Sequence, residues 1–490
     1  MTEQSDHRTQ RLGKLTRLRE NGIDPYPARV KRSHTVSEAR ESFPSAEGAA
    51  PASVQVAGRL ISWRVMGKST FGHIADGTGK IQVYLRQDVL GEETYELLRR
   101  NLDIGDFVGL SGELFRTRTG EITVKVEAME LLTKTLRPLP EKWHGLRDVE
   151  TRYRQRYLDL IANEDVRSIF ITRSRIVSAV RRYLDQRGFL EVETPILQPI
   201  YGGATARPFT THHNALDRTL YLRIADELYL KRLIVGGFDG VYEIGHDFRN
   251  EGISTKHNPE FTQAEVYQAY ADYNDMMKLI EGVYAYAAQE VLGGTKITFQ
   301  GHEIDLAPPW KRITMRQAIL DATDLDIEAH PDLQSLRQRV AELKLGIDPQ
   351  PTWGRLVDEV FSEYVEPSFI QPTILMDYPL EISPLAKRKA DEPHLVERFE
   401  FFIGGLECGN SFSELNDPID QRERFEAQAQ AAASGDEEAH PTDEEFLTAL
   451  EHGMPPTGGL GWGIDRMVML FTDQSSIREV ILFPQLRAKD

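Results

Sequence analysis

Between Gly245 and Glu265 the chain sets two charged runs close together, Gly245-His246-Asp247-Phe248-Arg249-Asn250-Glu251 and His257-Asn258-Pro259-Glu260-Phe261-Thr262-Gln263-Ala264-Glu265. Paired as an antiparallel hairpin, they bring an Arg fit for an α-phosphate, a Glu, a His and a Phe able to stack on adenine into one place, which suits an ATP site. Taken alone, the same residues also suit a charged surface hairpin.

At 490 residues the chain is long enough for two or three domains with cores of their own. One cysteine, Cys408, no apolar run of membrane-spanning length and no signal-like N-terminus predict a cytoplasmic protein without membrane association. The net charge of -18 argues against a general nucleic-acid binder, DNA included, because such affinity rests on phosphate contacts. The charge is unevenly shared. Residues 1–150 hold 23 Lys/Arg and 21 Asp/Glu, about +2, which leaves 58 − 23 = 35 against 76 − 21 = 55, about -20, for the remainder. Any RNA contact is therefore expected in the N-terminal part.

Leu12, Leu15 and Leu18, with Arg8, Arg11, Lys14, Arg17 and Arg19 around them, read as a basic amphipathic helix that either touches RNA phosphates or covers a neighbouring surface. Residues 37–53 read as a loose connection or a short helix. Strand-period alternation follows at Val54 and Val56, at Ile81, Val83 and Leu85, at Val108 and Leu110, and at Ile122, Val124 and Val126. With turns at Asp76-Gly77-Thr78-Gly79 and Arg118-Thr119-Gly120-Glu121 and a helix over 92–100, this predicts a five-stranded barrel of the oligonucleotide-binding (OB) type. Such barrels stack bases on aromatics, which makes Arg64, Phe71 and Gln82 candidates, although Phe71 suits core packing equally. Gly67-Lys68-Ser69 imitates the end of a phosphate-binding loop, but Ser62 stands where the first Gly belongs.

The Pro-punctuated run Leu136-Arg137-Pro138-Leu139-Pro140-Glu141-Lys142-Trp143 predicts a boundary within 133–150. The expected domains are a helical extension over 1–53, the barrel over 54–145 and a larger domain over 146–490. In the last, Ile169, Ile176, Val177, Val180 and Leu184 recur at helical spacing, Gly188 fits a helix cap and 189–197 reads extended. The mixture is α+β, with no dinucleotide fingerprint and no thiolate zinc set. His212-His213 reads as a loop pair.

The hairpin residues resemble the second signature of class II aminoacyl-tRNA synthetases. Arg187-Gly188-Phe189-Leu190-Glu191-Val192-Glu193-Thr194-Pro195 resembles the first signature, and Gly458-Gly459-Leu460-Gly461-Trp462-Gly463-Ile464-Asp465-Arg466 the third. The resemblance implies a catalytic domain built on an antiparallel β-sheet flanked by helices, and a homodimer formed through the first signature. Acids recur in the candidate pocket, at Glu227, Glu265 and Glu414, and a cationic amino acid suits them, because each buried charge needs a partner.

From about residue 54 to Gln485 the chain is similar to bacterial-type class II lysyl-tRNA synthetases. Gly202-Gly203-Ala204-Thr205-Ala206-Arg207-Pro208-Phe209, Leu222-Arg223-Ile224 leading to Glu227, and Phe401-Phe402-Ile403-Gly404-Gly405 look like that family's local patterns. The resemblance implies ATP-dependent activation of L-lysine and its transfer to tRNA(Lys). It implies Glu227 on the lysine α-amine, Glu414 on the ε-amine, and Gly203, Glu265, Tyr267, Asn410 and Phe412 around the side chain. For ATP it implies Arg249 on the α-phosphate, Glu251 near adenine, His257 toward the outer phosphates, Asn258 beside it, Phe261 on the base and Arg466 opposite. Glu400 and Glu407 would hold Mg2+; on one strand they need a bulge or bend between them, and Gly404-Gly405 supplies that freedom. In the barrel Arg64, Phe71, Gln82 and Glu121 would face the anticodon.

Departures from the family pattern are His246-Asp247, Cys408 and Trp462. Trp462 is expected to add bulk near the ATP site and Cys408 to alter packing of the lysine pocket. Competing readings are a paralogue that lysylates a protein, another class II synthetase, and a noncatalytic RNA-binding relative.

Overall fold

The computed structural model describes residues 2–44, 50–140, 145–433 and 442–488. Ser45–Ala49, within the expected loose connection, and Glu141–His144, at the end of the Pro-punctuated run, lie outside the described residues. The chain divides into two compact units, Met1–Arg147 and Asp148–Asp490. No described helix is long and apolar enough to cross a membrane.

In the first unit five strands, Ser53–Met66, Ser69–Ala75, Lys80–Arg86, Phe107–Arg116 and Ile122–Thr133, close into a barrel; the fifth lies between the third and the fourth, and the fourth returns to the first. The alternation seen in the sequence is the cause: Val54, Val56, Ile81, Val83, Leu85, Val108, Leu110, Val124 and Val126 all turn inward and are buried. Each such side chain contributes about 1.5–3 kcal/mol relative to exposure. Closure needs one close approach. At Gly112, beside a register shift, a Cβ would run into the backbone carbonyl of Lys125.

The 1–53 segment is part of this unit. The helix Thr2–Glu20 buries Leu15 and Leu18, and the short helix Val36–Glu41, closed by a Thr35–Glu38 capping box, buries Val36 and Ala39 in the barrel core. The basic face of the first helix is largely spent on protein. Arg11 donates to Thr135 Oγ1 at 2.5 Å, Lys14 meets Asp103 at 2.6 Å and Arg17 donates to Asn101 at 3.0 Å. The covering role therefore holds for these three cations.

The second unit is built on an eight-stranded sheet in the spatial order Lys311–Thr314, Thr373–Pro379, Leu395–Ile403, Leu406–Ser413, Thr457–Gly463, Glu260–Ala269, Gly240–Phe248, Leu190–Glu191. All neighbours run antiparallel except the parallel edge pairs at each end. The helices Glu164–Asp185, Tyr273–Leu292 and Ile464–Phe471 cover one face. Ile169, Ile176, Val180 and Leu184 of the first helix are buried there as the helical spacing predicts, while Val177 is half-buried. That helix stops in a Schellman motif: Phe189 N–H donates to Leu184 O at 3.3 Å, Gly188 N–H to Asp185 O at 3.0 Å, and Gly188 takes φ +82°. The extended reading of 189–197 is only partly met. Leu190–Glu191 and Leu197–Gln198 pair in sheets, while between them Pro195 has no N–H to give and the Thr194 N–H goes to the Glu243 side chain.

Candidate active site

The opposite face of the sheet is the floor of a cavity of about 360 Å3. Its geometry begins with the register of the charged hairpin. Asp247 pairs with Phe261, Gly245 with Gln263 and Glu243 with Glu265, while Tyr242, Ala264 and Val266 turn to the helix side. Period-2 alternation thus sorts one sequence into an apolar back and a charged front.

Arg249 follows the end of its strand, held by a hydrogen bond from its N–H to Pro259 O at 2.9 Å, with its guanidinium 5.1 Å from the Phe261 ring centroid. Its Nε is buried without a partner among the described residues. Arg466, early in the helix Ile464–Phe471, donates to the Glu407 carbonyl and stands 3.5 Å from His257 Nε2. Partial desolvation and the Arg466 charge hold the His257 pKa below its usual value. Two guanidiniums without full pairing, beside an aromatic ring and a half-shielded His, are groups suited to an anion and a stacked base.

Glu400 and Glu407 share this floor through a hairpin rather than along one strand. Leu395–Ile403 and Leu406–Ser413 are joined by Gly404-Gly405 at φ +63° and +71°, so Ile403 faces Leu406 and Phe402 faces Glu407. The tight turn brings the oddly spaced pair to one face. A register shift then leaves Cys408 unpaired, because Phe401 faces Gly409. That bulge returns Asn410 and Phe412 to the face of Glu407. Burial, and the nearby Glu407 and Asp358 charges, push the Glu400 carboxyl up to about 7 against the pull of Arg398. Two hard carboxylates close enough to repel fit a divalent cation such as Mg2+.

The amino-acid end is lined by Gly203, Ala225, Glu227, Glu265, Tyr267, Asn410, Phe412, Gly459 and Gly461. Gly203 has φ +90°, and a Cβ on it would lie 3.1 Å from Glu227 Cβ. Glu265 accepts from Gln263 at 2.7 Å and Tyr267 at 3.2 Å but has no cationic partner among the described residues, and burial drives its pKa well up. Glu414 stands behind the wall at Gly459, 1 % exposed, with Oε1 unpartnered.

Three cations here escaped the sequence reading. Arg223, 1 % exposed, meets Asp226 at 2.8 Å, Glu243 at 2.5 Å and Asp247 at 3.2 Å. Arg398 donates to Glu400 at 2.6 Å and Asn410 at 3.1 Å, and lies 4.4 Å from the Tyr378 ring centroid. Lys231, fully buried, bridges Glu227 and Glu414. For Arg223 the signal was its place in Leu222-Arg223-Ile224.

Two expectations need correction and one needs refinement. The Trp462 indole, 1 % exposed, and the Cys408 thiol pack in the helix-side core with Leu460 rather than into the cavity that both residues border, because Trp462 lies on the back of the alternation and Cys408 turns the same way at the bulge. Asn258 lines the cavity, yet its amide is committed to Glu260 O at 2.6 Å and Gln485 N–H at 3.2 Å, so it positions the loop.

In the barrel Arg64 pairs with Phe71 and Phe71 with Tyr84; the last two rings stack at 4.5 Å and 29°. Glu121 accepts from Gln82 at 2.9 Å and bonds His73 at 2.9 Å. Arg64 is exposed and Phe71 half-buried, so the four candidates gather on one barrel face, joined by Tyr84 and His73.

Residues 148–487 match the family model described as tRNA synthetases class II (D, K and N), and residues 54–132 match the OB-fold nucleic acid binding domain. The lysine–tRNA ligase of Pelotomaculum thermopropionicum is 58% identical over 98% of this chain and 94% of its own. Those of Carboxydothermus hydrogenoformans and Bacillus subtilis are 57% and 53% identical, over 98% and 99% of this chain and 98% of each relative. The chain belongs to the class II lysine–tRNA ligase family. Within that family's architecture, the cavity lies over the sheet formed by the second and third signatures, and Glu227, Arg249, Glu265, Glu400, Glu407 and Arg466 all border it.

Proposed function

We infer that the protein activates L-lysine with ATP to lysyl-adenylate and transfers the lysyl group to the 3′ end of tRNA(Lys). The observation that carries this reading is the coexistence of three buried carboxylates, Glu227, Glu265 and Glu414, with a two-arginine anion site in one region of the sheet. A buried acid without a cation is costly, and a ligand bearing two ammonium groups relieves that cost.

In this mechanism the lysine carboxylate attacks the α-phosphorus in line, the new O–P bond forms, the bond to the β-phosphate breaks and pyrophosphate leaves. Arg249 neutralises charge at the α-phosphate, Arg466 and His257 hold the outer phosphates, Phe261 supports adenine and Glu251 lies near it. Glu400 and Glu407 would hold Mg2+, which when bound screens phosphate charge. The tRNA 3′ hydroxyl then attacks the lysyl carbonyl and AMP departs. No protein nucleophile is required, so orientation and electrostatics carry the rate.

Glu227 takes the α-ammonium and Glu414 the ε-ammonium, with Glu265, Tyr267, Asn410, Phe412 and Gly203 shaping the pocket. Arg64, Phe71, Gln82 and Glu121 read the anticodon, and these substrates are met in the cytoplasm. The protein acts as a homodimer; exposed Leu190 in the first signature and Ile196 and Leu197 just after it, at 47 %, 45 % and 48 %, are apolar surface that a second copy would cover. The barrel and the full-length relatives weigh against a protein-lysylating role.

Pyrophosphate exchange into ATP with each of the twenty amino acids, magnesium present and tRNA absent, tests the reading. Exchange with lysine alone is expected; another amino acid overturns the pocket assignment, and none at all favours a noncatalytic binder. Light scattering tests the dimer.

A further inference from the structure

Lys231 lies inside the acidic cluster and has no task in the mechanism above. It sits one helical turn after Glu227 in the helix Glu227–Val235, so its side chain runs back along the same face. Its Nζ lies 2.5 Å from Glu227 Oε1 and in contact with Glu414 Oε2, and it is fully buried. The opposite oxygens stay clear of it. Glu227 Oε2 points toward Gly203, whose absent Cβ would lie 3.8 Å away, and Glu414 Oε1 points to the Gly459 wall beside Tyr267, without a hydrogen-bond partner.

We propose that Lys231 is a positioning and specificity-determining residue for the amino-acid pocket: by tying one oxygen of Glu227 to one of Glu414 it fixes the orientation of both carboxylates, leaves the other oxygen of each free and favours their ionised forms when a cationic ligand arrives. This rests on the reading of the cavity as the lysine-activating site. Glu227 and Glu414 share one internal ammonium and Glu265 has none among the described residues, so the three carboxylates, once ionised, leave two negative charges for the two ammonium groups of a diamino acid. Of the other charged or titratable groups near this cluster, Arg398 acts on Glu227 but is already paired to Glu400, and Tyr267 donates to Glu265. Asp226, Glu243 and Asp247 close around Arg223. From the side of the helix Glu444–Glu451, the Phe446 ring lies 5.9 Å from Nζ and offers no countercharge. Without Lys231 the two carboxylates are left to repel each other in a dry site, and a proton takes the place of the ammonium.

The test is pyrophosphate exchange by wild type and Lys231→Met, with KM for lysine and for ATP measured from about pH 6 to about pH 8.5, a range that spans the titration of a raised carboxyl. In Lys231→Met the KM for lysine should rise by at least about tenfold at neutral pH, the size of one lost charged hydrogen bond, with the KM for ATP changed less than about threefold. Relative to wild type the defect should shrink toward high pH, as the unpaired carboxyls ionise. An unchanged KM for lysine, or a rise of the same size at every pH, overturns the proposal, because loss of packing alone has no pH signature. Should Lys231→Met not fold, Lys231→Ala is assayed with added ethylammonium. Recovery of lysine use with ethylammonium and not with ethanol supports the role, and no difference between them overturns it. Wild-type exchange with an amino acid other than lysine overturns the pocket reading itself, whereas wild-type lysine exchange with a pH-flat variant overturns Lys231 alone.

Discussion

Gly459 stands directly over the Glu414 carboxylate: a Cβ there would overlap Glu414 Oε1 and the Tyr267 ring. A side chain at this position therefore displaces the acid proposed to take the lysine ε-ammonium. Gly459→Ala is expected to raise the KM for lysine by about tenfold or more while the KM for ATP moves less than about threefold. Steady-state exchange kinetics measure both, and parallel changes in the two constants would refute the separation.

Glu414→Gln keeps the volume and removes the charge. The KM for lysine should rise by about tenfold or more, with ATP binding largely kept, since charged hydrogen bonds contribute about 1.5–3 kcal/mol. An unchanged KM for lysine removes Glu414 from the pocket.

Arg223 holds three acids at once, and its loss leaves Asp226, Glu243 and Asp247 in a dry cluster. Breaking a buried pair on one side costs about 3–5 kcal/mol. Arg223→Met should lower the melting temperature, and acid should lessen the deficit, because Asp247, already pushed up to about 6 by burial, takes a proton. Thermal melts of both proteins at about pH 5.5 and about pH 8 check this. A deficit that grows in acid counts against the network.

What the sequence made legible follows from distance along the chain. The charged hairpin, the three signatures and the barrel alternation are contiguous patterns, and period 2 is enough to say which side chains share a face. Partnerships across the fold were hidden. Arg11, Lys14 and Arg17 look like an RNA-facing stripe until Thr135, Asp103 and Asn101 arrive from the barrel. Lys231 looks like a surface lysine until Glu414 arrives from the end of the strand Leu406–Ser413. Trp462 and Cys408 were misassigned because a signature fixes neighbours, not facing, and the bulge at Cys408 changes facing within two residues.

The Glu414 carboxyl is pushed up to about 8 by burial, against the pull of Lys231 and with the help of Glu227. Its folded pKa thus lies above its unfolded value of about 4.3, so the folded state holds the proton more tightly. Its contribution is fully present below the unfolded value and is lost as pH rises to about 8. The ligand-free protein should lose more melting temperature over this window than Glu414→Gln does, and saturating lysine should recover the difference. Equal pH slopes for the two proteins would exclude this titration.

Phe71 and Tyr84 form a stacked pair at 4.5 Å on the barrel face that also carries Arg64, Gln82 and Glu121. An aromatic ring half open to solvent, already aligned by its neighbour, extends its stack to a base at small entropic cost, and such stacking contributes about 1–3 kcal/mol per base. Phe71→Ala should therefore raise the KM for tRNA in aminoacylation by about tenfold, while Phe71→Tyr, which keeps the ring, should stay within about threefold of wild type. Lysine-dependent exchange without tRNA reports the other unit separately and distinguishes loss of the stack from loss of the fold. If Phe71→Ala charges tRNA(Lys) with an unchanged KM, the ring serves the barrel's own packing and the anticodon is read elsewhere.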